Sequence, residues 1–203
     1  MPEARPLDPF RSERLVYRAV NDQPQDIAFI HSIQRDAEAQ SGSSYALLRP
    51  ESIKASTEFK DRIEKCLLGA LICLPVTGLA EKDSETLPIG IICLKATPLS
   101  HAHHRNSDIS IDIAKEYRGQ GYGGEAIRWA LWYGFQMAGL HRISIETFSF
   151  NEGAMKLYER LGFTCEGKHR EAMWFNGRWH DDVVYGMLED EWREEQRKAG
   201  NDV

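Results

Sequence analysis

Arg118-Gly119-Gln120-Gly121-Tyr122-Gly123-Gly124 follows an alternating segment, Asp108 to Ile113, and opens an amphipathic run from Glu125 to Ala138. Strand, glycine-rich loop, helix is an order that holds phosphate. Glycine lets the backbone come close to an anion, and the unpaired N–H groups of a helix's first turn, aided by its dipole, supply positive potential without a charged side chain. The stretch predicts binding of a phosphorylated small molecule.

Gly119, Gly121 and Gly124 also satisfy the G-x-G-x-x-G pattern of dinucleotide-binding folds, and Glu146 lies about where the ribose-binding acid is expected. The spacing fits that fold poorly. Ala114 to Arg118, charged and turn-like, separates the strand from Gly119, and strand-like segments at Arg14 to Val20, Ala70 to Val76 and Pro88 to Thr97 come before the motif. A dinucleotide-dependent oxidoreductase is therefore the weaker reading.

Arg118-x-x-Gly121-x-Gly123 resembles the acyl-CoA-binding signature of the GNAT superfamily of N-acetyltransferases, Q/R-x-x-G-x-G/A. The block from Asn151 through Ala154, Leu157, Tyr158 and Gly162 to Phe163 resembles that family's second signature, N-x-x-A-x-x-L-Y-x-x-x-G-F. Asn176-Gly177-Arg178-Trp179-His180-Asp181 is similar to the C-terminal hairpin of the branch holding ribosomal-protein N-terminal and spermidine acetyltransferases. The likeness runs from about Ile89 to Leu188. It implies an acetyl-CoA-dependent N-acetyltransferase that acts on a primary amine by direct attack in a ternary complex, with acetyl-CoA as co-substrate and no metal. The implied fold is α/β (α+β), a mixed, mostly antiparallel central sheet flanked by helices on both faces. A non-catalytic acyl-CoA-binding or sensor protein is the alternative that the same motifs allow.

With 203 residues, 42% hydrophobic and 28% charged, the chain fits one domain spanning 1–203, its core over about 14–188 and residues 1–13 and 189–203 peripheral. Cys66, Cys73, Cys93 and Cys165 stand in apolar context without a C-x-x-C pair, so they are expected as buried free thiols in a reducing compartment. Met1 to Phe10 lacks the apolar core of a signal peptide, and Leu67 to Val76 is too short to span a bilayer. A soluble, cytoplasmic protein is expected, monomeric or homodimeric, with nuclear access left open and no membrane partner. The net charge of -6 argues against a nucleic-acid partner and suits a cationic amine. The acidic run from Glu189 to Glu195 reads as a solvated helix face.

Apolar spacing predicts a strand near Leu15 to Ala19, helices around Asp26 to Arg35 and Glu51 to Cys66, and strands near Ala70 to Leu74 and Ile89 to Lys95 joined by a polar loop, Leu79 to Thr86. His101, His103 and His104 sit in a solvated loop, Leu99 to Asn106, that offers no carboxylate or cysteine to complete a metal site. In Asp108 to Ile113 the isoleucines share one face while Asp108, Ser110 and Asp112 share the other, which should open onto a cavity or water. Ile127, Ala130, Leu131, Gly134, Met137 and Ala138 form a helical stripe that Gly139 stops. Asn151 should cap the helix Gly153 to Leu161, and Asn176-Gly177 should turn a hairpin between Ala172 to Phe175 and Trp179 to Met187.

Acetyl transfer needs a neutral amine and stabilisation of the developing oxyanion and leaving thiolate. The resemblance implies that Glu146, or Asp108 through a bridging water, takes the amine's proton, and that the Tyr158 phenol serves the departing sulfur. Tyr158 fits the buried face of its helix equally well. The cofactor would lie on the backbone of Ile111, Asp112 and Ile113 and on Arg118, Gly119, Gln120, Gly121, Tyr122, Gly123 and Gly124, with Asn151 and Tyr158 beside it. Trp174, Trp179, His180 and Asp181, together with Phe175, would shape the acceptor pocket, although ordinary sheet packing also explains the aromatics.

Overall fold

In a computed structural model the protein is described over residues 8–76 and 86–200, so the expected polar connection from Leu79 to Thr86 lies, except for Thr86, outside the described residues. The chain forms two compact units, each assembled from separated stretches. The first consists of Phe10–Ala96 and Ile109–Ala130, and the second takes in Thr97–Asp108 and the chain from Leu131 on.

In the first unit β1 (Val16–Arg18), β2 (Leu68–Pro75), β3 (Thr86–Leu94) and the 109–113 end of β4 (Asn106–Ile113) pair antiparallel in that order. Ile30 and Ile33 of α1 (Pro24–Gln34) and Ile63 of α3 (Ile53–Glu64) pack with Leu71, Cys73, Ile91 and Cys93 of the central strands. Val16 joins this cluster. Its neighbour Tyr17 points to the opposite face, as strand alternation requires, and stacks on Trp129 of α4 (Tyr122–Trp132) with ring centroids 3.6 Å apart. Helices thus cover both faces of this unit's sheet, which is why β2 and β3 are apolar on both sides rather than alternating.

The β1 to α1 connection is held by a buried carboxylate. Asp26, 3% exposed, accepts two hydrogen bonds from the Arg18 guanidinium at 2.8 and 2.7 Å and one from the Asn21 backbone N–H at 2.9 Å. Burial pushes its carboxyl up, but these donors outweigh burial and hold it below the usual range. Asp36, Glu125 and Glu166 are depressed likewise by ion pairs. A depressed folded-state pKa gives stability that is complete above the unfolded value and lost as pH falls through the folded one. The midpoint of thermal unfolding should therefore be level near neutrality and fall steeply below about pH 4. Asp26→Asn should cost about 2 to 3 kcal/mol at pH 7 and flatten that acid limb.

In the second unit the first residues of β4 pair parallel with β5 (Arg142–Phe148), which pairs antiparallel with β7 (Arg178–Leu188), which pairs with β6 (Thr164–Phe175). Asn176 and Gly177, with φ of 48° and 77°, turn the β6–β7 hairpin. Both positive φ values belong to a type I′ turn, whose twist matches the strands it joins. Strand pairing along the chain follows the order β1-β2-β3-β4-β5-β7-β6, mixed but mostly antiparallel, as expected. Two helices, α5 (Glu152–Arg160) and α6 (Glu189–Lys198), complete this unit. Although α6 was expected at the periphery, its Trp192 is buried and lies 5.4 Å, ring to ring, from Phe135.

Several expectations are corrected. Met137 is 56% exposed rather than part of the apolar stripe, because Tyr133–Met137 is a π-turn. Its Ala138 N–H to Tyr133 oxygen bond shifts the helical phase before Gly139, φ 63°, ends the run. Cys165 is exposed and Cys66 half-buried, so only Cys73 and Cys93 are buried thiols. Leu99–His104 forms a short 3-10 helix with its histidines exposed. Among the described residues no group of three or more His, Cys, Asp or Glu could hold a metal ion, and no helix is long and apolar enough to cross a membrane.

Candidate functional site

The glycine loop and its helix belong to the first unit. After β4 a single 3-10 turn, Lys115–Tyr117, leads into residues 118–121, where Gly119 and Gly121 take φ of 74° and 84°. Those left-handed values suit glycine, which has no Cβ to meet the backbone. The Glu125 N–H donates to the Gly121 carbonyl at 3.1 Å, the first bond of α4, so the amides of Tyr122, Gly123 and Gly124 stand ahead of the helical ladder. They form the positive end of the helix dipole.

Arg118 anchors this loop through its side chain. Its Nε donates to the Ile113 carbonyl at 2.8 Å and its guanidinium pairs with Asp36 at 2.6 Å. Asp36 caps α2 (Ala37–Ser43) by accepting from the Glu38 and Ala39 N–H groups, and Lys115 pairs with Glu38 at 3.0 Å. This short polar helix was not foreseen, because AEAQSGS carries no apolar period. It also borders the polar face of β4. Asp112 lies near Ser43 at the end of α2, whose hydroxyl donates to the Ala39 carbonyl at 3.1 Å, and burial pushes the Asp112 carboxyl above the usual range. At Asp112 that face borders α2 while staying half-buried.

Arg14 and Glu125 carry no motif and were missed. Glu125, buried inside the first turn of α4, accepts from the Ser12 hydroxyl at 2.6 Å, the Arg14 N–H at 2.7 Å and the Arg14 Nε at 2.8 Å. Burial raises its carboxyl, and these donors hold it below the ordinary value. The clamp sets Arg14 beside the loop. Its guanidinium donates to the Gln120 carbonyl at 3.2 Å, lies 4.6 Å from the Tyr122 ring centre, and would be 3.3 Å from a Cβ placed on Gly121. Gln120 turns its amide back to the Glu116 carbonyl at 2.8 Å. A cation with 44% side-chain exposure next to open helical amides is an anion site in chemical terms. Residues 111–113 pair along one edge with β3, Ile111 opposite Ile92 and Ile113 opposite Gly90.

The remaining expected residues belong to the second unit. Asp108 is the last residue of the parallel β4–β5 ladder, opposite Ser144, and Glu146 is exposed on β5 opposite Val184. Asn151 caps α5, its Oδ1 accepting from the Ala154 N–H at 3.2 Å. Two turns into that helix Tyr158 is buried, with Tyr185 edge-on at 5.6 Å and Phe163 at 6.1 Å. Trp174 and Trp179 face each other across the hairpin with centroids 5.1 Å apart, both more than half exposed. His180 packs edge-on to Phe150 at 4.7 Å, and Asp181 accepts from the Glu171 N–H. The hairpin also pairs the exposed His169 with the buried Asp182 at 2.9 Å, a contact that the sequence did not signal.

Residues 28–163 match the family model described as acetyltransferase (GNAT) family. The chain is 38% identical over 93 residues to YdaF of Bacillus subtilis, a candidate ribosomal N-acetyltransferase, covering 46% of this chain and 51% of that one. It is 28% identical over 97 residues to the spermidine N(1)-acetyltransferase of Escherichia coli K12, covering 48% of this chain and 52% of that one. The chain spans about half the length of these curated relatives. Spermidine N-acetyltransferase from Vibrio cholerae, solved with CoA and spermine, superposes with a TM-score of 0.71 at 25% identity, over 89% of this chain and 99% of that one. A GNAT acetyltransferase from Bacillus anthracis, at 21% identity, TM-score 0.70, and 89% and 98% coverage, shares the fold.

Proposed function

The chain belongs to the acetyltransferase (GNAT) family, and from that premise we propose that it transfers the acetyl group of acetyl-CoA to a primary amine by direct attack in a ternary complex. The observation that carries this reading is the first turn of α4, whose leading amides stand behind two left-handed glycines with Arg14 at their side. That arrangement suits the diphosphate of coenzyme A. The solved relative that holds CoA supports the same ligand, and residues 111–113 supply the strand backbone along which a pantetheine arm can pair.

The family resemblance gives roles to the remaining residues. A primary alkyl amine is neutral in only about one molecule in a thousand at pH 7, so its proton must be taken. Glu146 takes it directly, or Asp108 does so through water. The nitrogen then bonds to the acetyl carbon, the carbon–sulfur bond breaks, the Tyr158 phenol gives its proton to the departing thiolate, and the surplus proton of the newly bonded nitrogen is released to restore the phenol. Asn151 lies beside the cofactor while capping α5. Trp174, Trp179, His180 and Asp181 line the acceptor side, where two exposed indoles suit a cationic chain. The names of the relatives point to the acceptor class, a polyamine or a protein amine.

Thermal stabilisation by acetyl-CoA against that by nicotinamide dinucleotides, followed by thiol release across an amine panel, tests the reading. Stabilisation by the dinucleotide alone would sink it, and binding of acetyl-CoA with no turnover on any amine would favour a sensor. In the same assay Arg14→Ala should raise the acetyl-CoA Kd about tenfold, the loss of one charge-assisted contact, with kcat nearly unchanged. An unaltered Kd would remove Arg14 from the phosphate site.

A further inference from the structure

We infer that Cys66 and Cys93 form a peroxide-oxidisable dithiol site, in which the more accessible Cys66 sulfur is attacked first and Cys93 closes a disulfide. The pairing follows from the packing of α3 on the sheet. Gly69 stands directly opposite Cys93 on the neighbouring strand, where the two residues share a face. A Cβ on Gly69 would lie 2.2 Å from the Ile63 carbonyl oxygen and 2.7 Å from the Ile63 side chain. Only a glycine there lets the C-terminal turn of α3 come down onto the sheet. Cys66 is in that turn, its N–H bonded to the Ile63 carbonyl at 3.1 Å, and it packs on the apolar cluster that contains Cys93.

The Cys66 thiol donates to the Arg62 carbonyl at 3.3 Å and lies close enough to the Cys93 sulfur to interact with it. That contact, with the Lys95 charge nearby, pulls the Cys66 thiol down towards thiolate and pushes Cys93 up. The roles divide accordingly. Cys93 is 6% exposed, inside the sheet, whereas Cys66 is half-buried and open to a small oxidant. The Cys66 thiolate attacks one oxygen of hydrogen peroxide, the O–O bond breaks, and hydroxide leaves a sulfenic acid on Cys66. The Cys93 sulfur then attacks the Cys66 sulfur, the S–S bond forms, the S–O bond breaks, and the oxygen departs as water with the Cys93 proton. Two thiols and one peroxide give one disulfide and two waters. Neither cysteine belongs to the acetyl-transfer machinery, so the site stands whether or not that reading holds.

Reduced full-length protein treated with equimolar hydrogen peroxide, alkylated, digested and mapped by tandem mass spectrometry tests the site. A Cys66–Cys93 crosslink should rise from undetectable to the main form and vanish with dithiothreitol, while Cys73 and Cys165 stay alkylatable. Cys93→Ser should leave a sulfenic acid on Cys66 that dimedone captures. Should that variant fail to fold, the wild-type map decides alone. A crosslink from Cys66 to Cys73, oxidation confined to Cys165, or full alkylation of Cys66 and Cys93 after peroxide would each overturn the inference.

Discussion

Tyr158→Phe should lower kcat about a hundredfold, the low end of what a positioned general acid supplies, and leave the Kd for acetyl-CoA within about twofold. The substitution removes one oxygen and little else. Tyr158 sits edge-on to Tyr185 at 5.6 Å and near Phe163, ring contacts that a phenylalanine keeps, so the melting temperature should barely move. Steady-state thiol release gives kcat, and calorimetry with acetyl-CoA gives the affinity. The split separates the two roles that the position can play. A residue serving only the packing of α5 would show full turnover in Tyr158→Phe and a large loss of stability in Tyr158→Ala.

Gly121→Ala should weaken acetyl-CoA binding by tenfold or more and also lower the stability of the free protein. At φ 84° an L-residue costs about 1 to 2 kcal/mol. The added methyl would also stand 3.3 Å from the Arg14 guanidinium that flanks the loop. The protein can relieve both strains only by moving residues 119–121, which displaces the amides proposed to face phosphate. Gly123 makes the internal comparison. It lies inside α4, and a Cβ there meets Ile113 at 3.7 Å, an ordinary contact, so Gly123→Ala should leave the unliganded melting temperature unchanged. Any loss of acetyl-CoA affinity in Gly123→Ala then reports a ligand passing close to that point. If both alanine variants bind acetyl-CoA like the wild type, the cradle lies elsewhere.

The elements that sequence reasoning found are those whose own residues carry the signal. The alternation of Asp108 to Ile113, the glycines of 119–124, the cap at Asn151 and the Asn176-Gly177 turn are local statements, made by backbone preference and spacing, and each reappears in the structure within a few residues. The apolar runs of β2 and β3 were equally plain, because a strand buried on both faces needs no polar partner. Elsewhere the local signal was silent or misleading. The α2 helix is polar throughout and owes its place to Arg118 and Lys115, some eighty residues away. Met137 kept a perfect helical period, but the π-turn around it rotated the phase and left it in water.

By itself the sequence determined the order of strand, loop and helix at 108–138, the second motif at Asn151 to Phe163 and, through them, the family. These depend on φ preferences and hydrogen-bond needs that a residue satisfies with its near neighbours. Tertiary structure alone decided that Arg14 stands beside Gly121, that α2 comes near Asp112, and that Cys66 packs on the cluster holding Cys93. Each joins residues far apart in the chain whose side chains meet only after the sheet has formed. Coulomb attraction, burial and thiol chemistry depend on distance in space, which residue spacing along the chain does not encode.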